Sequence, residues 1–135
     1  MKKEELVRAV DLGQKIGHIF VATADAQGQP HLAAAGKLAL ISDAAHVTVE
    51  AWFCPGTVAN LEVNRHVSLV IWDARPDQGY QLLGEAEKVE EIAMMNGYAP
   101  GEEGKTTLPQ VERRLLIRVS KILTFRHAPH SDEEE

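Results

Sequence analysis

From the N-terminus, apolar residues first recur at helical spacing. Leu6, Val7, Val10 and Leu12 stand among charges over residues 3–15, which predicts a short amphipathic helix. From residue 17 the period changes. The stretch "HIFVATA" (18–24) is apolar and β-branched, and it stops at "DAQGQP", whose Asp, Gly and Pro mark a turn. "HLAAAGKLALI" (31–41) follows, then the polar break "SDAA", then "HVTVEAWF" (46–53), where Val47, Val49 and Ala51 alternate with Thr48 and Glu50. Two hairpin-like connections in so short a span predict an antiparallel meander.

At "CPGT" (54–57) the pattern breaks again. Pro55 fixes φ and cannot donate to a ladder, so strand pairing should end there. Gly56 permits an unusual backbone angle and Thr57 is a favoured N-cap, so "VANLEVN" reads as a helix offering Val58 and Leu61 to a core and ending at Asn64. "VSLVIWD" (67–73) is a continuous apolar run, the mark of a central strand. After the loop "ARPDQG", "YQLLGEAEKVEE" (80–91) reads as a long strand with Gly84 at a bulge or close backbone approach. Residues 91–98 suggest a helical turn, "APGEEGKTT" (99–107) a flexible loop, and "RRLLIRVSKILTFRH" one or two strands over Leu116–Val119 and Ile122–Phe125. Five to seven strands with two short helices predict a mainly β fold, a small closed or half-closed barrel. No repeat or linker divides the chain. One domain over residues 1–126 and an acidic, disordered tail over 127–135 are expected.

Charge and cysteine content narrow the function. A formal net charge of -6 argues against general nucleic-acid binding, which needs a basic surface to neutralise phosphates. The one cysteine cannot form an internal disulfide, so a reducing, cytoplasmic setting is expected. Acids interrupt "MKKEELVRAV" before any apolar run, unlike a signal peptide, and no apolar segment is long enough to cross a bilayer.

Three features carry candidate chemistry. A helix opening at Thr57 would present unpaired N–H groups and the positive end of its dipole to a phosphate, although most Thr caps bind nothing. Cys54 as a nucleophile needs a base or a positive field, and none of His18, His31, His46, His66, His127 and His130 stands at a recognisable Cys/His spacing. The default is a small, partly buried hydrophobe. The histidines offer no metal-ligand cluster, His127 and His130 lying in the polar tail. Trp52, Phe53 and Trp72 could stack on a planar cofactor, seal an interface or fill the core. Lys37, inside an apolar strand, either points to solvent or serves an anionic ligand. There is no GxGxxG, P-loop or GxSxG pattern.

The order of these pieces resembles the pyridoxamine 5'-phosphate oxidase-like family of FMN-binding split barrels, above all its short members such as the small bacterial FMN-binding proteins. A D-x-x-G-x-P turn is matched by Asp25, Gly28 and Pro30. An N-L-x-x-N-x-x-V-S-L pattern is matched by Asn60, Leu61, Asn64, Val67, Ser68 and Leu69, and a G-x-A motif by Gly84 and Ala86. The likeness spans residues 5–126. It implies a six-stranded antiparallel Greek-key barrel that forms a homodimer, with one FMN per subunit at the interface. It also implies an FMN site at Ala34, Ala35, Gly36 and Lys37, at Trp52, Phe53 and Cys54, and at Gly56 with Thr57.

There are departures. Cys-Pro-Gly stands where members often carry Lys or Arg, and Ala34 and Ala35 replace polar side chains that hold flavin in some of them. Phosphate charge would then fall to Lys37, Arg65 or a residue of the partner subunit. The basic C-terminal segment that binds substrate in the true oxidase has no match in "RHAPHSDEEE", so vitamin B6 oxidation is not expected. The first functional expectation is a flavoprotein that transfers electrons or hydride to an unknown small-molecule substrate or redox partner. The second is a non-enzymatic or stress-related split barrel that has lost flavin or holds a deazaflavin or haem. The third is a thiol enzyme using Cys54.

Overall fold

Helix α1 (Lys3–Ile16) opens with Glu4 and Glu5 and closes with Lys15, charges that complement its dipole. The computed structural model describes residues 1–41, 45–52, 55–95, 110–129 and 134. Leu6, Ala9, Val10 and Gly13 form the buried seam of α1, whereas Val7, expected on that stripe, is exposed. The small residues Ala9 and Gly13 let the helix lie close to the barrel: a Cβ at Gly13 would stand 2.6 Å from Leu38 Cδ2. Gly17, at φ 88°, ends the helix by donating its N–H to Gly13 O at 2.9 Å.

Six strands follow: β1 (Ile19–Ala24), β2 (Pro30–Leu40), β3 (His46–Ala51), β4 (His66–Asp73), β5 (Gln78–Met95) and β6 (Gln110–Thr124), with helix α2 (Pro55–Val63) between β3 and β4. Every pairing is antiparallel, and the order β1-β2-β3-β6-β5-β4 closes into a barrel. The three-strand meander is as the pattern predicted. The chain then crosses over α2 to lay β4 beside β1, and β6 closes the gap between β5 and β3. Alternation decides what lines the interior. Val21, Val47, Val49, Leu69, Ile71, Leu82, Leu115, Ile117 and Ile122 are all buried there.

The structure corrects one expectation and decides between two alternatives. Residues 91–95 do not turn into a helix; β5 runs through them, with Glu91 opposite Arg113 and Ala93 opposite Glu112 across a register shift. Ladder hydrogen bonds to a long partner strand outweigh a weak local preference. Of the one or two strands expected in the last segment the structure has one, since Val119 pairs with Gly84 and Lys121 with Leu83 on either side of the extra residue Ser120. Gly84 lies at a register shift in β5, as expected. The loop over 99–107 and most of the acidic tail lie outside the described residues. His127 and Ala128 are described, and their N–H groups both donate to the Asp77 carboxylate, at 2.7 and 2.8 Å. These two donors, with the Trp72 indole, hold the Asp77 carboxyl below its usual range.

Candidate functional site at the start of helix α2

Helix α2 begins at Pro55, so Thr57 sits inside its first turn rather than capping it. The proline that ends strand pairing is also well shaped for a first helical position, which needs no N–H donor. Gly56 takes no left-handed angle; among the described glycines only Gly17 and Gly28 do. Asn64 ends the helix as expected: its N–H donates to Asn60 O at 2.7 Å, and its side-chain oxygen accepts from His66 N–H at 3.1 Å. Thr57 is fully buried, with Oγ1 3.4 Å from His31 Nδ1. One turn on, Asn60 Nδ2 donates to Thr23 Oγ1 at 3.0 Å. These contacts pin the first turns of α2 to β1 and β2. The first-turn N–H groups have no acceptor within the helix, and they stand at its positive end. His31 is the ionisable side chain brought to this point: its Nε2 lies 3.8 Å from where a Cβ on Gly56 would be.

The remaining expected site residues divide along β2. Ala34 is exposed, Ala35 faces the core at 8% exposure and Gly36 is half-buried. Lys37 adopts φ 50° in the irregular stretch between Gly36 and Ala39 and directs Nζ to Glu50 Oε2 at 3.5 Å. Glu50 also accepts from Arg114 Nε and Nη2 at 2.9 and 2.7 Å. The Arg114 hydrogen bonds hold the Glu50 carboxyl below its usual range and raise the guanidinium in return. Six residues of extended chain, roughly 20 Å at about 3.3 Å each, separate Lys37 from His31. Arg65, beyond the far end of α2, donates to Ala86 O at 3.0 Å and Glu87 O at 3.4 Å. Lys37 and Arg65, two of the three sources expected for phosphate charge beside a residue of the partner subunit, are thus both engaged away from the helix start. Trp52, 46% exposed, follows β3 toward α2. Phe53 and Cys54 lie outside the described residues.

Sequence reasoning missed the outer face of the barrel. Phe20 is opposite Ala34 and Val70, and Ala22 is opposite Leu32 and Ser68, so these side chains share one outward surface over β2, β1 and β4. Phe20, Leu32 and Trp72 are 39%, 59% and 37% exposed on it or beside it. A contiguous exposed apolar patch of this kind marks an interaction surface. A cleft of about 420 Å3 adjoins it, walled by Ala22, His66, Ser68, Leu83, Arg118 and Ser120. The available signal was that β1 is apolar at both alternating sets of positions, with Phe20 and Ala22 outward between the buried Ile19, Val21 and Thr23. The other histidines disperse: His18 stacks edge-on with Phe20, His46 Nε2 meets Glu87 Oε1 at 2.6 Å, and His66 lies 3.8 Å from Glu85. No described helix is long and apolar enough to cross a membrane.

No curated protein sequence matches the chain. Among solved structures, it resembles a protein from Clostridium acetobutylicum related to general stress protein 26 of B. subtilis, of the pyridoxinephosphate oxidase family. That match has TM-score 0.65 and 14% identity, covering 99% of this chain and 96% of the other. An FMN-binding protein from Syntrophomonas wolfei matches at TM-score 0.59 and 16% identity, covering 90% and 87%. HutZ, the haem storage protein from Vibrio cholerae, matches at 0.56 and 18%, covering 93% and 96%. At these identities the likenesses establish the split-barrel fold. The sequence profile of the pyridoxamine 5'-phosphate oxidase family matches residues 8–115, most of the barrel, so the chain belongs to that family.

Proposed function

We propose that the protein is an FMN-binding flavoprotein. In this reading it is a cytoplasmic homodimer that holds FMN non-covalently where its subunits meet and transfers electrons or hydride between a small molecule and a redox partner. The observation that carries the reading is the start of α2, where first-turn N–H groups that have no acceptor within the helix stand beside the buried Thr57 hydroxyl and His31. This donor set fits a phosphate: backbone donors and a helix dipole bind anions without a lysine. The exposed Trp52 and the apolar Leu32 and Ala34 offer a surface to a planar ring. A second subunit seated on the Phe20–Leu32 face would exclude water from it. Bound flavin supplies the redox chemistry, and the chain's own residues hold and orient it.

Titration with FMN, followed by quenching of flavin fluorescence, tests the reading. FMN should bind at least about tenfold more tightly than riboflavin, as expected from losing a charge-assisted hydrogen bond. Thr57→Val and His31→Ala should each erase most of that preference while leaving riboflavin binding unchanged. Equal affinity for the two flavins in the unmodified protein would refute the phosphate assignment.

One observation favours a second reading. Lys37 and Arg65 are engaged with Glu50 and with β5, so among the described residues the helix start has neutral donors and His31. A split barrel holding a deazaflavin or haem without catalysis fits this as well. A haem Soret band that titrates to one equivalent, with no response to FMN, would select it.

A further inference from the structure

The cleft beside the apolar face lies over a fault in the β5–β6 ladder. Val119 pairs with Gly84 and Lys121 with Leu83, which leaves Ser120 as an extra residue on β6. Such a bulge bends its strand and re-aims the side chain it carries. Gly84 lets the two backbones close up at this point, since a Cβ there would collide with Arg118 O. Around the fault is the hollow of about 420 Å3, with Ser68 of β4 and Ser120 of β6 in its lining, Leu83 on the strand between them and Ala22 and Ala24 of β1 alongside.

Hydrogen bonds already made fix what each serine can still do. Ser68 Oγ accepts from Gln81 Nε2 at 2.7 Å, so its own hydroxyl hydrogen remains to be given. Ser120 Oγ donates to Leu83 O at 3.1 Å, so its lone pairs remain to accept. Neither hydroxyl has another partner among the described residues. Strands β4 and β6 are two strand spacings apart, roughly 10 Å. A planar amide, with one hydrogen bond at its carbonyl and another at its N–H, covers about that span.

The charged groups of the lining are matched with one another. Arg118 donates to Glu85 Oε2 at 3.4 Å and to Glu87 Oε2 at 3.3 Å, and His66 Nδ1 lies 3.8 Å from Glu85 Oε1. An ionic ligand would have to break into that set, whereas an uncharged one need not. Apolar walls with a few convergent polar groups, in a volume of this size, suit a small molecule.

We propose that this cleft binds a small uncharged carboxamide. Its carbonyl accepts from the Ser68 hydroxyl, its N–H donates to Ser120 Oγ, and its apolar body lies against Leu83, Ala22 and Ala24. The assignment uses nothing at the start of α2 and stands apart from the flavin reading.

Amide NMR of the full chain without flavin, titrated in turn with benzamide, benzoate and benzylammonium, tests this. The three share one ring, but benzoate lacks the N–H and benzylammonium lacks the carbonyl. Benzamide should give saturable shifts at Ala22, Ser68, Leu83 and Ser120. It should bind at least about tenfold more tightly than either ion, since each ion leaves one serine without its partner. Ser68→Ala and Ser120→Ala should each weaken benzamide binding about tenfold. Ala22→Leu, which keeps both hydroxyls and fills the cleft, should abolish saturable binding in a chain whose spectrum otherwise matches the parent. Equal or tighter binding of either ion overturns the proposal. So do non-saturating shifts, shifts centred on Thr57 and His31, or undiminished affinity in the Ser68→Ala/Ser120→Ala double variant.

Discussion

Replacing Gly84 by alanine tests how the barrel closes. A Cβ at this position would stand 2.2 Å from Arg118 O, 3.0 Å from Arg118 C and 3.1 Å from Val119 Cα. All three are backbone atoms of β6, so no side chain can swing aside. A carbon–oxygen contact ordinarily rests near 3.3 Å, and β5 and β6 must therefore separate by about 1 Å. That shift would strain the register change at Leu83/Gly84, the Ser120 Oγ hydrogen bond to Leu83 O at 3.1 Å and the nearby Ala86 N–H bond to Arg65 O at 2.8 Å. Overpacking usually costs about 1–3 kcal/mol, and a rigid obstacle that also disturbs a ladder belongs at the upper end. For a chain of this size each kcal/mol lowers the thermal midpoint by about 3–4 °C, so a fall of about 10 °C is expected.

Far-UV circular dichroism melts measure this, with Gly56→Ala as the matched control. There the added Cβ meets, among the described residues, His31 Nε2 at 3.8 Å, an ordinary contact, inside a helix. Alanine is better than glycine in a helix by about 0.5–1 kcal/mol, so the control should hold its midpoint or raise it. A Gly84→Ala midpoint within about 2 °C of the parent, or equal losses in both variants, would refute the steric reasoning.

Other outcomes follow from the charges and the exposed face. Asp77→Asn should lower the thermal midpoint at pH 7 and blunt the acid limb. The His127 and Ala128 N–H groups, then the Trp72 indole, depress the folded-state value below the ordinary 3.8. The stabilisation is therefore complete above that ordinary value and lost as pH falls through the depressed one. Melts of parent and variant should converge toward the lowest pH; a constant gap would count against the assignment. Glu50→Gln should behave similarly, since Arg114 depresses Glu50, and should in addition release Lys37, which raises the reactivity of its amine toward acylating reagents. Leu32→Glu, on the proposed dimer face, should convert the protein to a monomer in sedimentation velocity and weaken FMN binding in parallel. An unchanged sedimentation coefficient in a dimeric parent would remove that face from the interface.

Local pattern carried the strands well because alternation and turn chemistry act over a few residues. β1 ends at a turn in which Asp25 Oδ1 accepts from Gln27 and Gln29 N–H groups, and that arrangement is written into "DAQGQP". Where pattern failed, a distant partner decided. Residues 91–95 are strand because β6 offers them a ladder, and the α1 seam runs through Ala9 and Gly13 because the helix must sit close to Leu38. The site shows the same division more sharply. "CPGT" announced a helix start, and the start is there, displaced by two residues because Pro55 serves as its first position. What stands beside it depends on register. Pairing of β1 with β2 puts His31 opposite Thr23, and Thr57 and Asn60 close on that pair from residues 26 and 37 positions away. Lys37, only six residues from His31 in sequence, is carried to the other end of the strand and into the pair with Glu50. A cation counted near a motif in sequence is thus no measure of charge at the site. In the proposed reading, anion binding at Thr57 would rest on helix N–H groups, a buried hydroxyl and the His31 imidazole, a weaker field than a lysine would give. For that reason the FMN-to-riboflavin preference, rather than FMN binding alone, is the measurement that distinguishes a phosphate-gripping turn from an apolar ring pocket.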